Sequence, residues 1–248
     1  MQGRLSLISL TVALTAVAGV GVAHAAPTAT LGASATLLSQ PKGGEWAIGL
    51  GTAATFTMPD GSQPPPVRRM QFRFPRGNAN WDRFPACNPA RLEQRKDPDG
   101  CPAGSRIGKG TSTVWARPIV EDPIPATIDV FNGPRSGSGR TLLFLARTTR
   151  PISTQMVLRG VLRRTTGKYG FRLDVDVPRI QTVPGAPDAS IVALTTVVQA
   201  RRRGISYLEA PRTCPRTGLP FAGTFTFADG SSASAGARIS CTLTSVPG

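Results

Sequence analysis

The chain has 248 residues, a formal net charge of +15, 27 glycines and 23 prolines, with an apolar share of 40%. That apolar share excludes disorder as the default state, and the glycine and proline content excludes a fold built on long helices. Only Lys42, Lys96, Lys109 and Lys168 are lysines, so arginine carries the charge; it admits an anionic cell-wall polymer, a polysaccharide or extracellular DNA as partner, beside the plainer reading of an arginine-biased, solubilised surface.

The N-terminus reads as an export signal. Arg4 supplies the positive end, residues 5–22 carry no charge, and Leu7, Ile8, Leu10, Val12, Leu14 and Val17 form the apolar centre. Ala23 and Ala25 place small side chains at the −3 and −1 positions of a cleavage site, with Pro27 at +2. The alternative is an uncleaved anchor, because the uncharged run nears the ~18 residues of a spanning helix. Its Ser, Thr and Gly content favours the signal. Residues 1–25 are therefore expected to be a signal peptide and 26–248 one secreted domain. Cleavage removes His24, the only histidine, and with it the commonest catalytic base and the commonest metal ligand.

Alternation of apolar and polar residues dominates the remainder of the chain. Leu31, Ala33, Ala35 and Leu37 repeat with period two, as do Met70, Phe72 and Phe74 between Arg69, Gln71 and Arg73. Ile128, Val130 and the run Leu142–Leu145 come next. Tyr169, Phe171, Leu173, Val175 and Val177 oppose Arg172, Asp174 and Asp176, the pattern of a half-buried strand. The chain then predicts a hairpin: Phe221, Gly223, Phe225 and Phe227, a turn at Asp229-Gly230, and Ala233, Ala235, Ala237, Ile239 and Cys241 on the return. Loops are expected at Pro59–Pro66, Asn132–Gly139 and Pro178–Asp188. One segment reads as a helix, with Asn88 as N-cap and Pro89 opening Ala90–Gln94. The fold class expected is all-β: an antiparallel β-sandwich with long loops and one short helix.

Cys87, Cys101, Cys214 and Cys241 are even in number in an exported chain, which predicts disulfides. Of the three pairings, Cys87–Cys101 with Cys214–Cys241 is favoured because each pair brackets a local unit. Closing such loops contributes ~3 kcal/mol each. A zinc site would need the four to converge without CxxC spacing.

No constellation carries chemistry. Gly104-Ser105-Arg106-Ile107-Gly108-Lys109-Gly110 fails the phosphate-loop pattern at Ala103 and Gly110, and reads as a turn into a strand. No Gly-x-Ser-x-Gly is present, and a serine nucleophile would lack a histidine base, leaving only a Ser105–Lys109 dyad. Asp174 and Asp176 could act as paired carboxylates or bind a cation, but Arg172 beside them points to a solvated charge ladder. Asp97-Pro98-Asp99-Gly100 resembles part of a calcium loop without its later ligands. Trp46, Trp81 and Trp115 are core residues or a sugar-stacking platform, with Trp81, set among polar residues, the candidate stacking residue. Arg201, Arg202 and Arg203 are the candidate anion-binding cluster, or a strand end and turn. No catalytic residue, metal or cofactor is assigned.

Several segments resemble a known group. Phe84-Pro85-Ala86-Cys87 and Cys101-Pro102-Ala103-Gly104-Ser105-Arg106-Ile107-Gly108 are the most specific; Phe131-Asn132-Gly133, Val177-Pro178-Arg179-Ile180 and Tyr207–Pro215 come after them in order. The chain resembles a group of uncharacterised secreted proteins of high-GC actinobacteria. The resemblance implies export, cystines and a β fold, and carries over no catalytic residue. The function expected is that of a non-enzymatic exported protein at the cell envelope or outside it; a polyanion- or carbohydrate-binding module is the alternative, and a hydrolase comes last.

Overall fold

The computed structural model describes residues 25–39, 46–181, 184–211, 213–240 and 244–245. The expected export signal, apart from Ala25, and Cys241 lie outside the described residues. In chain order the strands are β1 (Thr28–Ser39), β2 (Trp46–Thr57), β3 (Val67–Phe74), β4 (Asn78–Ala79), β5 (Arg106–Ala116), β6 (Val120–Ser136), β7 (Gly139–Thr148), β8 (Thr154–Arg164), β9 (Phe171–Asp176), β10 (Ser190–Val198), β11 (Arg201–Arg202), β12 (Ile205–Ser206), β13 (Leu208–Ala210), β14 (Leu219–Phe227), β15 (Ser232–Ile239) and β16 (Thr244–Ser245). The one α-helix among the described residues is α1 (Pro89–Arg95).

A single sheet runs β15-β14-β3-β9-β8-β7-β6-β5-β10-β2-β1, antiparallel at every step. β13 joins β2 to β4, and β16 adds a two-residue parallel pairing to β1. The sheet rolls until β1 packs against β15, but no ladder joins those two strands among the described residues. The opposing layers of the sandwich are thus parts of one open, rolled sheet.

Period-two alternation decides what faces inward. Phe56, Met70, Phe72, Ile128, Val130, Leu142, Leu173 and Val175 all belong to one buried cluster. The C-terminal hairpin forms in the expected register, with Phe221 opposite Ala237, Gly223 opposite Ala235 and Phe225 opposite Ala233. Small alanines leave room for the rings: Phe225 meets Phe56 edge-on at 4.7 Å and Phe72 at 5.6 Å. These phenylalanines fill the seam where β14 and β15 approach β1 and β2.

The outer face of β6 and β7 carries a second, smaller core. Phe131, Leu143 and Leu145 point away from the interior and are covered by Leu92 of α1 and by Cys87. The helix forms as its sequence dictates. Asn88 Oδ1 accepts from the amides of Ala90 (2.9 Å) and Arg91 (3.4 Å), Pro89 occupies the first turn, and Lys96 ends the helix at φ 50°. The Cys87–Cys101 disulfide closes a loop around it, and Arg159 on β8 holds Glu93 at 2.7 Å. Replacing both Cys87 and Cys101 by alanine is expected to lower stability by ~3 kcal/mol, read as a reduced midpoint in urea. Cys214 is also disulfide-bonded. Non-reducing peptide mapping is expected to recover it joined to Cys241.

One segment departs from the expected loops. Asn132–Gly139 is mostly strand: β6 continues to Ser136 and β7 begins at Gly139. The Asn-Gly-Pro sequence that suggests a turn instead sits at an irregularity in the β6–β7 register between Asn132 and Arg135. Gly133 is close-packed there, since a Cβ on it would lie 2.9 Å from the Thr141 carbonyl oxygen.

The described part of the Pro178–Asp188 segment is a loop, as expected, and charge anchors it. Asp188 receives the guanidinium groups of Arg68 and Arg179. Burial raises its carboxyl pKa, but the hydrogen bonds and positive charge of the two arginines outweigh this and hold it below the ordinary carboxylate value. A depressed folded-state pKa stabilises the fold above the unfolded value of ~3.9 and loses that contribution as pH falls through the folded value. Asp188→Asn is therefore expected to flatten the acid limb of a stability-against-pH curve. An unchanged acid limb would show that the pair contributes nothing.

Candidate functional site

The interior of the rolled sheet is not filled. Between β10, β5–β9, β3 and β2 lies a cavity of about 210 Å³. Its walls are inward-facing apolar side chains, among them Leu50, Phe144, Ala146, Met156, Leu194 and Val198. Alternation turns these six inward, yet each is only half-buried; their inner surfaces face the hollow rather than neighbouring atoms. Such surfaces forgo the dispersion contacts of a close-packed core. The lining runs from Ile152 and Thr154 beside the β7–β8 turn to Trp46, Arg76 and Pro211 at the opposite end.

Polar groups on the walls are occupied with one another. The Thr52 and Thr196 hydroxyls bond at 2.8 Å, and Ser112 donates to the Ala193 carbonyl at 2.9 Å. Glu209 is the only carboxylate on the lining among the described residues, and it accepts from Asn78 Nδ2 at 3.2 Å. The lumen offers apolar surface and no assembled acid–base pair.

A buried polar network lies beside β4 and β13. Asn132, fully buried, lies within 3.1 Å of the carbonyls of Trp81, Phe84 and Pro85 through Nδ2, and its Oδ1 accepts from the Tyr207 hydroxyl at 3.1 Å. Burial drives the Tyr207 pKa far above the ordinary phenol value, so this hydroxyl remains a donor. Phe84 stacks edge-on against Tyr207 at 5.1 Å. Arg140, also buried, donates to the Gly133 and Trp81 carbonyls at 3.1 Å each and to Asp82 at 2.5 Å. Asn132 and Arg140 together hold the 81–85 segment against β6 and β7.

Beside that segment lies a polar cleft of about 430 Å³ lined by Trp81, Asp82, Arg83, Arg135 and Arg164, among others. Ala79 lines both cleft and cavity. Trp81, the expected stacking residue, is half-buried. Its ring meets Phe171 edge-on at 6.1 Å, and the Arg164 guanidinium lies over it at 5.7 Å. Arg201, Arg202 and Arg203 sit in the β11–β12 hairpin, Arg203 with φ 48° in its turn. Arg201 and Arg203 are exposed, whereas Arg202 donates to the Arg83 carbonyl at 3.1 Å. The cluster therefore adjoins the cleft.

Ser105 is fully buried and donates to the Pro102 carbonyl at 2.7 Å, while Lys109 is exposed on β5. Gly104 turns the chain at φ 81°, and a Cβ on Gly110 would lie 2.0 Å from the Thr195 carbonyl oxygen, so the glycine-rich run serves a turn and close β5–β10 packing. Asp174 is held by Arg172 at 2.8 Å and Arg163 at 3.4 Å, with Asp176 exposed. Asp97 caps a 3-10 turn through the Asp99 amide at 2.8 Å. The tryptophans form no platform: Trp115 of β5 lies under the guanidinium of Arg117 in the turn that follows, Trp46 lines the cavity and Trp81 lines the cleft.

Sequence reasoning missed the cavity, Asn132 and Arg140. One signal for Asn132 was present: it directly follows the apolar pair Val130-Phe131. No protein family, no curated protein and no solved structure matches this chain.

Proposed function

We propose that this is an exported, non-enzymatic protein that carries or presents a hydrophobic molecule within its rolled sheet. The observation that carries the reading is the cavity of about 210 Å³ with its apolar, half-buried walls. Apolar cavities of about 150 Å³ stay dry and take up benzene-sized molecules. Burying an alkyl chain on these walls contributes ~25 cal/mol per Å² of apolar surface removed from water. Export is supported by the N-terminal signal pattern and by the Cys87–Cys101 disulfide, which suits an oxidising compartment. The site of action proposed is the cell envelope or outside it.

A general polyanion surface fits less well. Asp129, Asp174 and Asp188 each hold two arginines, so these guanidinium groups are already engaged in ion pairs of the fold. Carbohydrate stacking on the face of Trp81 that Arg164 covers would have to displace that guanidinium. Titration of the mature protein with N-phenyl-1-naphthylamine tests the reading. Saturable fluorescence enhancement that long-chain alkanols displace is expected; a response no greater than that of a folded control protein would refute it.

A further inference from the structure

The cavity and the cleft share Ala79, but their chemistry is opposite. Around the cleft stand the guanidinium groups of Arg83, Arg135 and Arg164, against the single carboxylate of Asp82. Asp82 is already taken, by Arg135 at 3.0 Å and Arg140 at 2.5 Å. Arg164 has only a neutral hydrogen-bond partner, Asn78 Oδ1 at 2.9 Å, besides the rings of Trp81 and Phe171. The Arg83 side chain makes no hydrogen bond or ion pair among the described residues. Asp82 thus gathers two arginines, as Asp129 and Asp174 do, and Arg83 and Arg164 stand beyond that pair. The cleft is thus a place where positive charge is left without a carboxylate, and the backbone anchor of Arg202 on Arg83 brings a further cation beside it.

Excess guanidinium charge at the border of an apolar cavity suits a molecule with an acidic end and an apolar body. We propose that the cleft beside Trp81 is an anion subsite, and that it holds the carboxylate or phosphate head of the same ligand whose chain occupies the cavity. This inference rests on the cavity being a binding site. The chain would supply most of the affinity through burial, and the arginines would select acidic over neutral heads.

The test compares hexadecanoate with hexadecan-1-ol, both displacing N-phenyl-1-naphthylamine from the mature protein at low salt. Hexadecanoate is expected to bind about tenfold more tightly, as one or two charge-assisted hydrogen bonds confer. Arg83→Gln with Arg135→Gln should bring the two within about twofold, without weakening the alkanol. Arg83→Gln alone should move the ratio in the same direction, and its side chain has no contact that folding requires. A lysophospholipid and inorganic phosphate distinguish a lipid head from a free anion; the lipid should displace the probe in an Arg83-dependent way. Equal binding of acid and alcohol in wild type and variants would overturn the head-group assignment and leave the cavity reading intact. Displacement by neither would refute the cavity reading itself. Arg83-dependent binding of inorganic phosphate, with no preference for acid over alcohol, would overturn the link between cleft and cavity.

Discussion

Replacing Asn132 by leucine is expected to cost about 3 kcal/mol or more of folding stability, because several buried polar groups lose their partner at once. In the native fold the two hydrogens of Nδ2 are shared among the carbonyls of Trp81, Phe84 and Pro85, of which Trp81 also accepts from Arg140, and Oδ1 accepts the Tyr207 hydroxyl. Leucine keeps the γ-branched shape but answers none of these groups, and Tyr207 is too deeply buried to turn to water. For a chain of this size such a loss corresponds to a fall of roughly 10 °C in melting temperature. Tyr207→Phe removes only one bond and should cost about 1 kcal/mol. If Asn132→Leu and Tyr207→Phe prove equally mild by thermal unfolding, the network does not hold the 81–85 segment.

The second large effect is on binding. Ala146→Trp should reduce affinity for an apolar probe by about tenfold or more, because the indole would occupy the space the ligand needs. Ala146 points inward on β7 between Ile128 and Met156. A bulky group in a packed core costs ~1–3 kcal/mol; in an existing hollow it gains contacts instead. Stability within ~1 kcal/mol of wild type is therefore expected together with the loss of binding. Val197→Trp, on the outward face of β10 where Val197 is exposed, should change neither quantity. A large loss of stability in Ala146→Trp would mean that the interior is already filled.

What could be read from the sequence was local. The alternation at Phe171–Val177, the pairing of phenylalanines with alanines across the last hairpin, and the Asn88-Pro89 helix start each rest on residues a few positions apart, and each forms as expected. The cavity was illegible for a physical reason. Leu50, Ala146 and Leu194 repeat with the same period whether the space they face is packed or hollow, and only the curvature of the assembled sheet decides. Asn132 was hidden because its partners Trp81, Phe84 and Tyr207 are remote in sequence, while its own neighbours Gly133-Pro134 suggest a turn. The state of Trp81 depends likewise on Arg164, on a different strand.

Whether the rolled sheet takes up an apolar chain is tested most directly by a crystal structure of the mature protein soaked with 1-bromododecane, with anomalous data collected at the bromine edge. A bromine peak is expected inside the sheet, within contact of Leu194, Phe144 or Met156. Bromine peaks confined to the outer surface, or an interior closed by those same side chains, would contradict the proposed role of the cavity.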